Sequence, residues 1–328
     1  MKIYKGDALE QLKKLETESI DCIVTSPPYW QLRDYGVEGQ LGLEETLEEF
    51  LEKLISVFEE AYRVLKPEGT VFINLGDTYS NAHGKLIGNT ERKGFGIHPG
   101  YDSIYRKTEV KRKSRLCIPE RFAIKMIEAG WILRNKIIWK KPNVMPESVD
   151  DRFTNDYEEI FFFTKSQDYY FEKQYETYSQ KTLTAFKNNI MPSSHNYLKS
   201  GQSKVGMRDN KEWLAVVSEK GRSMRTVWDE LITEEDMVQE IGDIWEIGVK
   251  GIKEAHFATF PEKLVSRCLI SGCPAGGIVL DMFLGSGTTL KVAKDMNLDG
   301  IGIEIKEEYI EIAVNRIGNS LFNKLEVL

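Results

Sequence analysis

Asp281-Met282-Phe283-Leu284-Gly285-Ser286-Gly287-Thr288-Thr289 closes one apolar run and opens a helical pattern. The run itself, Gly277 to Phe283, is apolar apart from Asp281 and reads as a strand buried on both faces of a parallel sheet. Two glycines then permit a tight turn and close backbone approach, and a helix from about Leu290 to Met296 offers free N–H groups to a carboxylate or phosphate. Strand, glycine turn and helix in this order predict an α/β domain with a nucleotide-type cofactor at the strand's carboxyl end. Which cofactor stays open on this stretch alone. The third glycine of the dinucleotide fingerprint is missing, its place held by Leu290, and no phosphate-binding G-x-x-x-x-G-K-[S/T] occurs; both disfavour NAD and ATP. Glu304 ends the next strand-like run, Gly300 to Ile305, and can accept from two ribose hydroxyls; its plain reading is a charged strand end.

Moving outward, the first third repeats the same alternation. Ile3 to Asp7 reads as a strand, Ala8 to Leu15 as a helix and Ile20 to Thr25 as a buried strand. Apolar positions from Leu43 to Tyr62 trace one face of a long amphipathic helix ended by Lys66-Pro67-Glu68-Gly69, and Thr70 to Leu75 is a further strand. The order β-α-β-α-β implies a parallel sheet. Ile118 to Gly130 is helical, and Trp131 to Trp139 with Glu159 to Thr164 suggests an antiparallel pair at the sheet's edge. His256 to Ile270 and Glu307 to Ile317 read as helices. Periodicity fails in Asp77 to Arg115 and again between Tyr175 and Lys250. The first reads as an inserted loop, about 82–115, and the second as a small separate module. The expected organisation is therefore 1–174, 175–250 and 251–328, with the outer segments forming one domain.

A chain of 328 residues, 41% apolar, is globular and long enough for a sizeable core. No apolar run approaches the ~20 residues needed to span a bilayer, and the first residues enter folded-looking sequence rather than a signal peptide. Cys22, Cys117, Cys268 and Cys273 are scattered without a C-x-x-C pair, so they read as reduced thiols of a cytoplasmic protein, with no metal site expected. The net charge of −7 excludes binding of nucleic acid over the whole surface. Its distribution points elsewhere. His83 to Arg115 holds nine basic residues against three acidic, and Gln180 to Arg225 again holds nine against three. One such run is usually a solvated loop; two, both in the aperiodic stretches, favour a polyanion. The candidate contacts are Lys85, Arg92, Lys93, Arg106, Lys107, Lys111, Arg112 and Lys113 in the first, and Lys204, Arg208, Arg222 and Arg225 in the second.

The strand ending at Thr25 runs into Ser26-Pro27-Pro28-Tyr29-Trp30. Consecutive prolines fix φ, remove two donors and exclude helix from the residues before them, so the turn is rigid and offers acceptors at Ser26 and Pro27. Tyr29 and Trp30 add flat faces. Such an edge suits a planar ring bearing an amino group, although a lone S-P-P-Y can equally be a strand-ending loop.

With Asp21 before it, the hexapeptide Thr25 to Trp30 resembles the catalytic motif of the DNA amino-methyltransferases, in the Ser-Pro-Pro-Tyr version associated with N4-cytosine; Asp or Asn at position 26 would be typical of N6-adenine enzymes. Asp281 to Thr289 is similar to the same family's S-adenosylmethionine loop, usually D-P-F-x-G-S-G-T-T, with Met282 in place of Pro. His256 to Leu264 is similar to the helix-opening motif over the cofactor's methionine end, and Gly6-Asp7 to the motif near its adenine. Arg134 to Lys141 and Asn155 to Lys165 resemble the later catalytic strands. Catalytic turn first, variable module second and cofactor loop last is the β-type permutation, on a Rossmann-like, seven-stranded, mostly parallel sheet.

The resemblance implies catalytic roles for Ser26, Pro27, Pro28 and Tyr29. For S-adenosylmethionine it implies Asp7, Thr25, His256, Phe260, Pro261, Asp281, Phe283, Gly285, Ser286, Gly287, Thr288, Thr289 and Glu304. Implied partners are double-stranded DNA and a cognate restriction endonuclease, without a metal or a membrane. The expected reaction is direct methyl transfer to a flipped cytosine stacked on Tyr29. Methylation at C5 would need a nucleophilic cysteine, and the only adjacent pair, Cys273-Pro274, is reversed. An N6-adenine enzyme of the same fold is the nearest alternative. A nicotinamide-linked oxidoreductase, or a silent DNA-binding module, leaves the proline turn or the filled motif positions unexplained.

Overall fold

The computed structural model describes residues 1–32, 34–80, 110–141, 144, 149–176, 222–223, 226–228, 261–318 and 325–328. Two compact units emerge: Met1–Phe171 with Thr226–Glu230 and Ile247–Leu328, and Glu172–Arg225 with Leu231–Glu246. In the second unit the described structure is the antiparallel pairing of Tyr175–Glu176 with Arg222–Ser223, strands β6 and β7 below. All else here concerns the first unit.

Its strands are β1 (Lys2–Lys5), β2 (Ile20–Thr25), β3 (Leu65–Leu75), β4 (Ile132–Lys140), β5 (Tyr157–Thr164), β8 (Val227–Trp228), β9 (Ile278–Asp281), β10 (Asp299–Glu304) and β11 (Glu326–Val327). They form one sheet in the order β11-β1-β10-β9-β2-β3-β5-β4-β8. Seven strands of four or more residues carry it, and the two-residue β8 and β11 cap its edges. Every neighbour pairing is parallel except those of β5, which runs antiparallel to both β3 and β4. The antiparallel pair expected at the sheet's edge is β4 with β5: it closes this end of the sheet, with the two-residue β8 outside it and β5 threaded between β3 and β4. Thr226–Glu230, which sequence groups with the separate module, joins this unit through β8.

Strand alternation sorts the core into two layers. Val71, Ile73, Phe161, Phe163 and Leu280 point to one face, where α1 (Ala8–Leu12), α2 (Leu47–Val64) and α3 (Ile118–Glu128) cover them. Cys22, Val24, Phe72, Phe162 and Val279 point to the other, covered by α4 (Glu262–Gly272) and α5 (Thr288–Asp295). The last helix, α6 (Glu307–Ile317), packs Ile310, Ala313 and Ile317 against Ile3, Leu284 and Leu290.

Several boundaries move, two of them for a clear local reason. Helix α2 starts at Leu47, not Leu43, because Thr46 and Glu49 form a capping box, with side chain to backbone distances of 3.2 and 3.1 Å. Glu44, ahead of the helix, is buried and accepts from the Gly42 N–H at 2.9 Å. Lys66-Pro67-Glu68-Gly69 ends the helix but lies within β3 as an irregularity, opposite Asp21, whose carboxylate takes Lys66 Nζ at 2.7 Å and the Ile278 N–H at 2.8 Å. Helix α5 begins at Thr288, ahead of the expected Leu290.

Phe122 joins the α2–α3 pair to the sheet: it is fully buried, with ring centroids 5.2 Å from Phe58 and 6.5 Å from Phe161. Phe122→Ala is expected to lower unfolding free energy by about 3–5 kcal/mol in urea titration, the usual cost of deleting a core phenylalanine.

Candidate active site

Strands β2 and β9 are neighbours, with Ile23 opposite Leu280, so the turns leaving them start side by side although 256 residues separate Thr25 from Asp281. A single carboxylate joins them. Asp281 Oδ1 accepts from Thr25 Oγ1 at 2.7 Å and from the Phe283 N–H at 3.1 Å, while Oδ2 accepts from Thr289 Oγ1 at 2.7 Å. The group is 1% exposed, and burial pushes its pKa up to about 6 against the opposing effect of these three hydrogen bonds. The end of the proline turn, the end of β9 and the first turn of α5 are therefore held by one buried residue.

Beside this junction, β10 and β1 end together, Lys5 opposite Glu304. Glu304 Oε2 accepts from the Gly285 N–H and Oε1 from the Lys306 N–H, both at 2.8 Å, which orients the carboxylate and leaves each oxygen a further lone pair. Burial first, and the charge of Asp281 among the lesser causes, raises its pKa. Asp7 caps α1 through the Glu10 N–H at 3.1 Å. Gly285 has φ +53°, and among the described residues a Cβ built on it meets only Phe283 O, at 3.9 Å, so none of them crowds this part of the loop.

On the other side of the junction Ser26 and Pro28 are half-buried and Pro27 is buried. The Tyr29 ring lies against Gly76, where an added Cβ would stand 2.5 Å from the ring's Cε2. Its hydroxyl donates to Glu158 Oε2 at 3.0 Å. Burial, then the negative charge of Glu158, holds the phenol well above its ordinary pKa. Trp30 departs from expectation: its ring is 1% exposed in the core and its Nε1–H donates to Glu44 O at 3.0 Å, so it offers no face to a ligand.

The DNA methylase family model N6_N4_Mtase matches residues 20–315. The chain belongs to the N6/N4 DNA methylase family. It is 34% identical to the Type II methyltransferase M.Cfr9I of Citrobacter freundii, over 99% of this chain and 90% of that protein. It is 35% identical to M.SmaI of Serratia marcescens, over 96% and 90%. Among solved structures it resembles the PvuII DNA methyltransferase (cytosine-N4-specific), with TM-score 0.58, 18% identity and coverage of 98% and 87% of the two chains. It also resembles a DNA modification methylase of Thermus thermophilus complexed with S-adenosyl-L-methionine, with TM-score 0.55, 22% identity and coverage of 100% and 99%.

This DNA methylase has the Rossmann-like S-adenosylmethionine-dependent fold, and S-adenosylmethionine is its methyl donor. The strand ends fit that group: an oriented carboxylate at Glu304 suits ribose hydroxyls, and no described residue crowds the flank of Gly285 beside it. Several expected cofactor residues nevertheless turn inward. Thr25, Asp281 and Thr289 bond one another, and Arg316 donates to Ser286 Oγ at 2.6 Å and Thr288 Oγ1 at 3.1 Å. Gly287, at φ +83°, admits α6, since a Cβ there would stand 2.8 Å from that of Ala313. These bonds shape the loop. Pro261 caps α4. His256, Phe260, Lys85, Arg92, Lys93, Arg106, Lys107, Lys204, Arg208 and Arg225 lie outside the described residues, as does the side chain of Arg222. Lys111, Arg112 and Lys113 are exposed beside Ser80, whose carbonyl accepts from the Lys113 N–H at 2.9 Å.

Sequence reasoning passed over Gly76, Asp77, Glu158 and Arg316. Gly76 carried a usable signal, a glycine at the carboxyl end of a strand; the others depend on partners distant in sequence. Asp77, Cys117 and Glu120 bring possible metal ligands within 4.8 Å of one another. The Asp77 carboxylate is already bonded to the N–H groups of Thr78, Cys117 and Ile118 and to Arg115, as a cap on α3.

Because Asp281 is a stronger proton binder in the folded chain than unfolded, the folded state holds more protons between about pH 4 and 6, and stability falls as pH rises through that window. In urea titrations across it, Asp281→Asn should remove a slope amounting to roughly 3 kcal/mol. Parallel slopes in both proteins would refute the assignment.

Proposed function

We propose that this DNA methylase transfers the methyl group of S-adenosylmethionine to the exocyclic N4 of a cytosine flipped out of duplex DNA. The observation that carries the reading is the 2.7 Å bond from Thr25 to Asp281, which binds a Ser-Pro-Pro-Tyr turn to the cofactor loop at one set of strand ends. The fold neighbour named as cytosine-N4-specific supports the base assignment.

The N4 lone pair is conjugated with the ring and weakly nucleophilic. Ser26 Oγ and the Pro27 carbonyl, fixed by the proline backbone, accept its N–H bonds and bias it toward an attacking geometry, while Tyr29 supplies a stacking face. The bound cofactor supplies an electrophilic methyl group. Glu304 and Asp7 hold its ribose and adenine end, and Phe283 packs on it. A paired cytosine hides its amine, so eversion, at a few kcal/mol, precedes transfer. The basic residues of 82–115 and of the 175–250 module contact phosphates, with base reading mainly in the module. In this reading the chain works in the cytoplasm as the modification half of a restriction pair, as the Type II names of its relatives suggest.

Nucleoside analysis of duplex DNA after incubation with the chain and S-adenosylmethionine should yield N4-methylcytosine; N6-methyladenine would replace the base assignment, and unmodified DNA would overturn the reading. Ser26→Ala should lower turnover at least about 100-fold, as for loss of a transition-state hydrogen-bond partner, with cofactor affinity unchanged. Gly76→Ala, which displaces the Tyr29 ring, should lower turnover about tenfold on the same criterion, checked by calorimetric titration of the cofactor.

A further inference from the structure

We infer that Glu158 is a positioning residue for Tyr29: it fixes the plane of the ring on which the flipped base stacks, and Lys141 holds it in place. The inference rests on the stacking role given to Tyr29 above. A ring is a useful platform only if its plane is set before the base arrives. The proline turn fixes the Tyr29 backbone, yet χ1 and χ2 of a tyrosine stay free unless packing or a bond at the far end locks them. Gly76 backs one side of the ring. The far end is the hydroxyl, and there Glu158 Oε2 accepts at 3.0 Å.

Topology explains how an acid reaches this point. Strand β5 is antiparallel, so its first residues lie at the carboxyl ends of β3 and β4, with Glu159 opposite Leu75 and Glu158 opposite Trp139. A parallel strand in this place would have delivered its last residues instead. Glu158 is itself held: Oε1 pairs with Lys141 Nζ, and that ammonium sits 4.6 Å from the centroid of the buried Trp139 ring. The side chain of Glu158 is 19% exposed, so the pair is shielded enough for a charge-assisted bond to matter. Tyr29, Glu158 and Lys141 thus form a chain of contacts from β4 across β5 to the proline turn.

Two measurements on the full chain test this. First, with fluorotyrosine placed at position 29, the fluorine line should shift and broaden in Glu158→Ala and return toward the wild-type position in Glu158→Gln, which keeps an acceptor oxygen. An unchanged line in Glu158→Ala would overturn the contact, whatever the enzyme's activity. Second, single-turnover methylation of duplex DNA should fall about tenfold in Glu158→Ala and in Tyr29→Phe, with KM for S-adenosylmethionine unchanged. The double variant should be no slower than Tyr29→Phe alone, because losing the hydroxyl already removes the contact with Glu158. Losses that multiply in the double variant would overturn the positioning role, as would full activity in Glu158→Ala. A wild-type chain that leaves DNA unmodified would instead refute the site reading, and is told apart by the fluorine experiment.

Discussion

Everything at the reaction edge depends on one buried carboxylate. Asp281 costs the fold a desolvated charge, offset by two hydroxyls and one N–H that converge on it from three elements. Because a buried acid left without those donors would be strongly unfavourable, each donor is in turn fixed by the acid. The proline turn and the cofactor loop cannot drift apart while the triad of bonds stands. Rigidity of this kind suits a transfer between two bound molecules, where the chain contributes chiefly by holding them at the right separation.

The sheet supplies the frame for that holding. Parallel strands put β1, β2, β3, β9 and β10 in one direction, so their carboxyl ends gather Asp7, Ser26, Gly76, Phe283 and Glu304 along a single edge. The reversed β5 adds what a purely parallel sheet lacks, the acidic start of a strand, and Glu158 arrives at the same edge. Glycine enters where backbones must touch side chains: Gly76 admits the Tyr29 ring and Gly287 admits α6.

Much of this was legible in the linear order. The apolar run before Gly285 and the paired prolines after Ser26 announced both turns, since chain stiffness and strand burial are local properties of composition. Glu304 reads as the end of a strand, and it is the last residue of β10. Errors arose where a side chain had a choice of direction. Trp30 looked like a ligand face and is core, because its indole N–H finds Glu44 O inside. The hydroxyls of Ser286 and Thr288 also accept from Arg316, twenty-eight or more residues away, a partner that no local pattern announces.

Sequence by itself determined the element types, the alternation that makes a mostly parallel sheet and the two turns, for these follow from short-range sterics and hydrophobic period. Only the tertiary structure decided that β2 and β9 are adjacent, that β5 is threaded between β3 and β4, and that Asp281 faces inward to two threonines. Those are matters of which distant strands pair, and pairing is settled by burial of the whole core, which no single stretch of the chain encodes.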